Sequence, residues 1–514
     1  MKHYLLIAAF STLTLVANSQ DLVSIDVTKA KDRINKNIYG HFSEHLGRCI
    51  YDGLYVGDSN KTIPNKDGIR LDVIAALKKL KVPVLRWPGG CFADTYHWRD
   101  GVGPKSTRPS MLNVWWGNTK EDNSFGTNEF LNMCEELGAE PYLSGNVGSG
   151  TPGELSDWIK YTTHPNNSSP MPEMRAANGR DKPWKVKFWG LGNEAWGCGG
   201  NMKPEFYANI YRQYATFMTA ASNKDTIYRI ASGANGGDYN WTEVLMRDLP
   251  PNMFDALGLH HYSVINWNKK GSATEFSEQE YFLTMKQALQ MEELITKHSA
   301  IMDKYDPLKK KHLAVDEWGG WYDVEPGTNP AFLYQQNTMR DAMIAGSSLN
   351  IFNNHADRVK MANLAQIVNV LQAVILTEGD KILLTPTYHV MEMYNVHQDA
   401  MMLPVRVTST DYVQGDQKLK AVNASASRDD RGVTHITLVN IDPKKEHTIS
   451  INVNGATYQG VTGRILKAAS MRDYNTFQEP GKITPVSFNG ATLSKNKLTV
   501  KLPPVSVVVL ELTN

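Results

Sequence analysis

Cysteine is scarce in this 514-residue chain, which has only four: Cys49, Cys91, Cys134 and Cys198. So few cysteines exclude a disulfide-built scaffold, and their wide spacing argues against a structural zinc site. The spacing alone does not indicate which of them pair. A charge excess is also missing, since the formal net charge is +1, and the composition therefore gives no sign of a nucleic-acid partner.

Long hydrophobic runs are absent as well, because no stretch approaches the ~18 consecutive apolar residues of a membrane-spanning helix. The N-terminal apolar segment, 4–16, follows Lys2 and His3 and precedes the sequence Ala-Asn-Ser at 17–19. This pattern is typical of a signal peptide at 1–19; a buried N-terminal strand or helix is the alternative. We therefore expect no membrane partner, and an exported protein (periplasmic or secreted) that begins near Gln20.

From 38 to 395 the chain alternates short apolar segments with longer amphipathic ones. The apolar segments predict eight strands, at 38–43, 82–87, 141–145, 186–191, 227–232, 256–260, 312–316 and 349–353. Helical patterns follow nearly all of them. Eight such units favour an α/β fold, a (β/α)8 TIM barrel over 38–395, although a doubly wound sheet would share the alternation.

Three local signals mark the ends of predicted helices. Thr151 followed by Pro152 is an N-cap with proline at the first helical position. Ser277 and Glu280 form a capping box before the longest helical pattern, and Gly138 is a C-terminal stop.

The sequence changes character after 395. Short alternating or apolar segments rich in β-branched residues are separated by Gly, Asn, Asp and Pro, and no long helical pattern remains. This predicts a C-terminal β-sandwich at 396–514. We expect the segment 20–37, which precedes the first barrel strand, to pack with that β-sandwich.

Two glutamates follow predicted strands on opposite sides of the barrel. Glu194 comes after the fourth strand and Glu317 after the seventh. Active sites of such barrels lie where the strands end, and breaking a glycosidic bond requires two carboxyl groups with different protonation states. Most glutamates are merely solvated surface groups, so neither residue is informative alone. Their joint placement predicts a glycoside hydrolase.

Several motifs, in order along the mature chain, carry a family resemblance. They are GHFSEHLGR at 40–48, LRWPGG at 85–90, WRDGVGP at 98–104, GLGNE at 190–194, DEW at 316–318 and HADRVK at 355–360. With them the chain resembles the α-L-arabinofuranosidases of glycoside hydrolase family 51. The resemblance implies an exo-acting, retaining enzyme in which Glu194 is the acid/base and Glu317 the nucleophile.

The resemblance also implies roles for residues around the glutamates. Asn193 would bind the sugar 2-hydroxyl, Tyr262 would hold the nucleophile, and Arg86 would keep Glu317 ionised. Glu44 and Gln366 would hydrogen-bond the furanose hydroxyls. The structural alternatives are a surface carboxylate for Glu44, a salt bridge for Arg86 and a helix-surface amide for Gln366.

The remaining site predictions concern Cys91 and three tryptophans. Many relatives carry asparagine where this chain has Cys91, and because a thiol is a weak hydrogen-bond partner, sugar contact at this position is in doubt. Trp116 and Trp318, with Trp98, are candidates for the walls of the sugar site, although tryptophans at a barrel mouth can be simple packing residues.

Two other motifs are misleading. The stretch 148–153 matches G-x-G-x-x-G, but Glu173, the acid about twenty residues on, lies in a loop and not at a strand end, where a ribose would be held. His260 and His261 are adjacent on a strand and point to opposite faces, so they cannot share one metal ion. We therefore expect neither a cofactor nor a metal.

Two rival functions remain open. An endo-glycanase of the cellulase or xylanase type would use the same barrel and glutamates with an open cleft, and a carbohydrate-binding protein would have lost catalysis. The resemblance favours arabinose-containing plant glycans as the partner and implies a homo-oligomer.

Overall fold

A closed barrel of eight parallel strands forms the centre of the computed structural model, which describes residues 21–222, 226–494 and 497–513. In chain order, which is also the order around the barrel, the strands are Gly40–Phe42, Val84–Trp87, Glu140–Gly145, Phe188–Leu191, Tyr228–Asn235, Ala256–Ser263, His312–Gly320 and Val359–Ala365. The predicted fold class, a (β/α)8 barrel followed by a strand-rich C-terminal region, is confirmed.

The eighth predicted strand was misplaced. Residues 349–353 belong to the helix Met339–Asn354, and the eighth barrel strand is Val359–Ala365. Every residue of that helix up to Asn353 is buried, because the barrel and the C-terminal region enclose it. A helix buried on all sides lacks a polar face, so its apolar run cannot be distinguished from a buried strand by periodicity.

Helices surround the barrel. They are Leu71–Leu80, Thr127–Leu137, Pro152–Thr163, Pro170–Ala177, Pro204–Thr216, Tyr239–Asp248, Glu278–Tyr305, Met339–Asn354 and Pro386–Met393. The predicted helix ends are confirmed. Thr151 Oγ1 accepts the Glu154 N–H at 3.1 Å, Ser277 and Glu280 form a capping box, and Gly138 ends its helix with φ at +71°.

Two antiparallel-rich sheets make up the C-terminal region. One contains, in spatial order, Val405–Thr408, Asp21–Asp26, His447–Asn454, Lys497–Leu502 and Ala491–Ser494. The other contains Met401–Leu403, Val422–Arg428, Thr434–Asn440, Ser506–Thr513, Gly460–Lys467 and Val486–Ser487. The first sheet thus includes a strand from the N-terminal segment, which pairs in parallel with His447–Asn454.

The barrel interior is filled at the amino end of its strands. Seven strands each contribute one buried side chain to a single cluster: Val84, Tyr142, Phe188, Ile230, Ala256, Ala314 and Met361. Such a plug closes one end of the barrel, so an open site can form only at the carboxyl ends of the strands.

The predicted signal peptide, at 1–19, lies outside the described residues. Within the described part of the chain, no helix is both long and apolar enough to cross a membrane.

Candidate active site

The two predicted glutamates meet at the carboxyl end of the barrel. Glu194 lies just after the fourth barrel strand, and Glu317 lies within the seventh, His312–Gly320. Between them lies His260, whose Nδ1 is 3.0 Å from Glu194 Oε1 and 3.5 Å from Glu317 Oε2. One carboxylate oxygen of Glu194 is within 4.8 Å of one of Glu317.

Glu317 is buried and accepts hydrogen bonds from two side chains. Its Oε1 is 2.9 Å from Arg86 Nη1, and its Oε2 accepts the Tyr262 hydroxyl at 2.8 Å. Burial alone would raise the pKa of Glu317, but the positive charges of His260 and Arg86 and these hydrogen bonds outweigh it and lower the pKa. Glu317 is therefore held as the anion.

Arg86 is itself positioned by its surroundings. It is only 1% exposed, its guanidinium lies 4.5 Å from the centre of the Phe42 ring, and its Nη2 donates to Asn193 Oδ1 at 2.5 Å. One buried cation thus connects Asn193, at the end of the fourth strand, to Glu317 in the seventh.

Glu194 occupies a strained and more open position. Its φ is +42°, in the left-handed region that non-glycine residues rarely adopt, and its side chain is 20% exposed. Its carbonyl accepts the N–H groups of Gly197 at 2.7 Å and Gly199 at 3.1 Å. The turn after the fourth strand therefore aims this carboxyl at the mouth of the barrel.

Asp94, which the sequence analysis missed, anchors the turn that carries Asn193 and Glu194. Its carboxylate accepts the backbone N–H groups of Asn193, Val147 and Gly148 at 2.7–2.9 Å. Burial raises the pKa of Asp94 to about 6. Because Asp94 already bonds the Gly148 amide of the G-x-G-x-x-G stretch, that amide is not free to hold a phosphate.

Glu44 and Gln366 lie together on the opposite wall. Glu44 Oε1 accepts the Gly90 N–H at 2.9 Å and Trp116 Nε1–H at 3.0 Å, and Oε2 accepts Gln366 Nε2–H at 3.0 Å. Burial and the nearby charge of Glu317 raise the pKa of Glu44 to about 7, although these donors act in the opposite direction. The pair forms a polar wall suited to hydroxyl groups.

These residues enclose a small pocket. Its lining includes Phe42, Glu44, Gly90, Cys91, Trp116, Asn193, Glu194, Tyr262, Glu317, Trp321 and Gln366. Arg86 lies beneath it. The structure therefore brings together all the predicted site residues except Trp318 and Trp98.

Trp318 and Trp98 are packing residues. Trp318 is 1% exposed and its ring contacts Phe352 edge-on at 5.3 Å. Trp98 is 2% exposed, and its Nε1 donates to the Glu154 carbonyl. The Trp318 side chain points away from the pocket. Trp321, three residues further along the chain, lines the pocket instead.

A second cleft, of about 620 Å³, opens on the outer side of Glu194 and is flanked by Trp196, Trp267 and Trp321. Trp267 is 56% exposed, and its ring meets that of Trp321 edge-on at 5.4 Å. A flat, exposed indole ring close to Glu194 provides a surface on which a sugar unit can lie.

The structure also shows which cysteines pair and whether the site suits a metal ion. Cys91 and Cys198 form a disulfide, and Cys49 and Cys134 are buried free thiols. Glu194, His260 and Glu317 are close enough to share an ion, but the guanidinium of Arg86 already compensates Glu317. The trio therefore carries too little net negative charge to favour a divalent cation.

Comparison with known proteins gives consistent matches. Residues 76–280 match the α-L-arabinofuranosidase 1 domain, and residues 316–506 match the α-L-arabinofuranosidase C-terminal domain. An intracellular exo-α-L-arabinofuranosidase of Bacteroides ovatus is 51% identical, with 98% of this chain and 97% of that protein covered.

Solved structures agree with these matches. The family 51 arabinofuranosidase of Xanthomonas axonopodis pv. citri superposes with a TM-score of 0.94 at 47% identity, covering 96% of this chain and all of that one. The arabinose complex of the α-L-arabinofuranosidase of Thermotoga maritima gives 0.84 at 30% identity, covering 96% and 99%.

One sequence prediction is overturned by these comparisons. The Bacteroides ovatus relative, which is matched over nearly the whole chain, is described as intracellular. The prediction of an exported protein, periplasmic or secreted, is therefore wrong. A polar start, an apolar stretch and small residues are short and common features, so they are weak signals by themselves.

Membership is settled by the relative that shares half its residues with this chain over almost its full length, together with the barrel and its two glutamates. The chain belongs to the α-L-arabinofuranosidases of glycoside hydrolase family 51.

Proposed function

We propose that this glycoside hydrolase is an exo-acting, retaining α-L-arabinofuranosidase that removes terminal arabinofuranosyl units from arabinose-containing plant polysaccharides, including hemicelluloses, or oligosaccharides. The observation that carries the proposal is the proximity of Glu194 and Glu317, whose nearest oxygens lie within 4.8 Å. Retaining enzymes have carboxyl groups about 5–5.5 Å apart, whereas inverting enzymes need about 6.5–9.5 Å to admit a water molecule.

In the first step, Glu317 attacks the anomeric carbon while Glu194 gives its proton to the departing oxygen. The bond between the anomeric carbon and that oxygen breaks, and an ester between the sugar and Glu317 forms. Arg86 and His260 favour this chemistry because they keep Glu317 ionised. The Tyr262 hydroxyl, 2.8 Å from Oε2, fixes the carboxylate plane.

In the second step, Glu194, now deprotonated, takes a proton from a water molecule, and the water oxygen attacks the anomeric carbon. The ester breaks, Glu317 leaves as a carboxylate, and arabinose is released with its original anomeric configuration. The partial exposure of Glu194 supports this role because water must reach it.

Sugar recognition is assigned to the polar wall. Glu44 and Gln366 would bind furanose hydroxyls, and Asn193 would bind the 2-hydroxyl. The Gln366 Oε1 atom has no hydrogen-bond partner within the described residues although it is buried, which supports an acceptor role toward a hydroxyl group. Trp116 fixes Glu44 and closes the wall, and Cys91 contributes its disulfide instead of a thiol donor.

The closed wall also separates the exo-acting proposal from the endo-glycanase alternative, since an endo-acting enzyme needs a cleft that continues past the sugar site. We further propose the division into a barrel at 38–395 and a β-sandwich at 396–514 that includes the segment 20–37. The N-terminal strand paired with His447–Asn454 supports that division. We propose a homo-oligomer from the family resemblance, to be checked by light scattering.

Hydrolysis of 4-nitrophenyl α-L-arabinofuranoside tests the assignments. Glu317→Ala should lower kcat/KM by about 10⁴-fold or more, because no other group can form the ester. Glu194→Ala should recover activity with azide and yield the α-configured arabinosyl azide. Glu293→Ala, at a surface glutamate paired with Lys297, is the matched control. Full activity of Glu317→Ala, or oligosaccharides in place of arabinose from xylan, would reject the proposal.

A further inference from the structure

The Cys91–Cys198 disulfide lies against the acid/base glutamate. Cys91 follows the second barrel strand and Cys198 lies four residues after Glu194, so the bond joins positions 107 residues apart. The Cys198 sulfur is 3.6 Å from Glu194 Oε2 and 3.8 Å from Asn193 Nδ2. Both sulfurs and one Glu194 oxygen lie within 4.8 Å of one another.

Two connections join the Cys91–Thr95 turn to the loop that carries Glu194. One is the covalent bond between Cys91 and Cys198, and the other is the hydrogen bond from the Asn193 N–H to Asp94 Oδ2, at 2.8 Å. They hold the loop on either side of Glu194. A non-glycine residue with positive φ persists only where its surroundings over-determine the backbone, and these connections supply that constraint.

The packing of the loop leaves little room for another arrangement. A side chain at Gly199 would meet the Asn193 carbonyl oxygen at 1.8 Å and Asp94 Oδ2 at 2.7 Å, so the loop lies directly on the Asp94 turn. Hydrogen bonds from Gly197 and Gly199 to the Glu194 carbonyl complete a tight turn. The direction of the Glu194 carboxyl therefore depends on where Cys198 is fixed.

We propose that the disulfide is a thiol-sensitive positioning device for Glu194: its reduction leaves the arabinosyl wall in place and weakens proton transfer to the leaving group. The inference rests on the acid/base role proposed for Glu194. Cys91 and Cys198 are positioning residues in this scheme, since the proton moves through Glu194.

The reaction is an ordinary thiol–disulfide exchange. A thiolate of a small dithiol attacks one sulfur and forms a mixed disulfide, and its second thiol then releases the other sulfur. Two electrons pass from the dithiol to the protein, giving two cysteine thiols and a cyclic disulfide. Cys91 and Cys198 are partly exposed, whereas Cys49 and Cys134 are buried, so the exchange reaches the active-site pair selectively.

The consequence for catalysis is specific. Once reduced, the two sulfurs must separate from bonding to van der Waals distance, and a displacement of about 1 Å at a reacting group can cost about 100-fold in rate. The Gly90 and Phe92 N–H groups on either side of Cys91 hold Glu44 by hydrogen bonds that do not require the disulfide, and Arg86 holds Glu317 by an ion pair. The loss of kcat/KM should therefore be largest for substrates whose leaving group needs a proton.

The test compares two substrates before and after reduction. An α-1,5-linked arabinobiose has a sugar alcohol as leaving group and depends on the acid, while 2,4-dinitrophenyl α-L-arabinofuranoside does not. After dithiothreitol treatment and anaerobic removal of the reagent, kcat/KM should fall about 10- to 100-fold for arabinobiose and less than about 3-fold for the dinitrophenyl substrate. Thiol titration of the folded protein should rise from zero to two, and reoxidation should restore activity.

A Cys91→Ser/Cys198→Ser double variant is the matched control. Its kcat/KM on both substrates should equal that of the reduced wild type, and dithiothreitol should not change it. Should this variant fail to fold, reduction of the wild type in place, followed by circular dichroism, keeps the test decisive. Unchanged kcat/KM after complete reduction, or an equal loss on both substrates, would overturn the inference. Failure of the oxidised wild type to release arabinose would instead reject the proposed function.

Discussion

In the proposed mechanism the active site has an arabinosyl side and a leaving-group side, and the structure builds the two differently. On the arabinosyl side, Glu44, Arg86 and Glu317 are each 6% exposed or less, and strands or short turns from the barrel hold them. On the leaving-group side, the Glu194 side chain is 20% exposed, and the loop after it is held by turn hydrogen bonds and one disulfide. The arabinosyl side is thus buried, with its charges compensated, whereas the leaving-group side is open to solvent and is held by a covalent bond.

This difference follows from what each side must do. A buried carboxylate is tolerated only when cations and donors compensate it, so the arabinosyl side has to be complete before the substrate arrives. The leaving-group side must admit sugars of varied shape and then a water molecule. Under the proposed function, specificity for the sugar and tolerance of the leaving group are therefore separated on two sides of the anomeric carbon.

Removing Arg86, the buried cation between Asn193 and Glu317, should have the largest effect on activity. Arg86→Met leaves the buried Glu317 without its arginine partner, with only Tyr262 and His260 beside it, and also removes the hydrogen bond to Asn193. We expect kcat/KM to fall by about 100- to 1,000-fold, the range found when one preorganised charge-stabilising donor is lost. The loss of a partner from a buried pair should also lower the free energy of unfolding by about 3–5 kcal/mol.

The pH profile distinguishes these effects. Because Arg86 lowers the pKa of Glu317, the variant should lose activity at a higher pH as the solution is acidified. Arg86→Lys should recover part of the activity, since it keeps the charge but not the forked geometry. Arg70→Met is the control, because it removes another buried arginine, which pairs with Asp72. It should lower the free energy of unfolding and leave the acid limb of the kcat/KM profile at the same pH.

His260 joins the two sides, and its replacement should have an intermediate effect. Burial would lower its pKa, but the charge of Glu317 and the hydrogen bond to Glu194 outweigh burial and raise it. His260→Asn removes the charge that lowers the pKa of Glu317, so the acid limb of kcat/KM should again move to higher pH. We expect a loss of about 10- to 100-fold at neutral pH, at the lower end for a misplaced acid/base pair.

His261→Asn is the control for this variant. Burial lowers the pKa of His261, and its ring bonds the Gln287 carbonyl at 2.8 Å, so it carries no charge near the glutamates. An acid limb that moves equally in both variants would show that His260 has no specific effect on Glu317.

The residues that could be predicted from the sequence are those whose position alone indicates a function. Glu194 and Glu317 follow apolar strands, where a carboxylate needs a reason to be buried. Asp94 lies in an irregular turn, and its partners Val147 and Asn193 are 53 and 99 residues away, so no local pattern reveals it. His260 ends a predicted strand, and the two glutamates follow predicted strands, so its position is a local signal that indicates a functional side chain.

Two further features of the site, one predicted wrongly and one left open, also depend on three-dimensional context. Trp318 and Trp321 are three residues apart at the barrel mouth, and only the chain direction after Glu317 decides which ring faces the pocket. The Cys91–Cys198 pair could not be chosen among four cysteines, because the spacing of cysteines does not encode which loops meet. The barrel was predictable because strand and helix periodicities are local.

The smallest effect is expected from replacing Trp267, on the leaving-group side. Trp267 is 56% exposed and lies against Trp321 at the outer end of the cleft, so it can contact only sugar units beyond the cleaved bond. Trp267→Ala should raise KM for long arabino-oligosaccharides by about 3- to 10-fold, the loss of one aromatic contact of about 0.5–1.5 kcal/mol. It should leave the KM for 4-nitrophenyl α-L-arabinofuranoside unchanged.

Phe217→Ala is the control: it removes a comparably exposed ring from a helix end and should change the KM for neither substrate. A KM that rises equally for both substrates would mean that Trp267 supports the arabinosyl side as well, and the division between a rigid sugar wall and an independent leaving-group cleft would then fail.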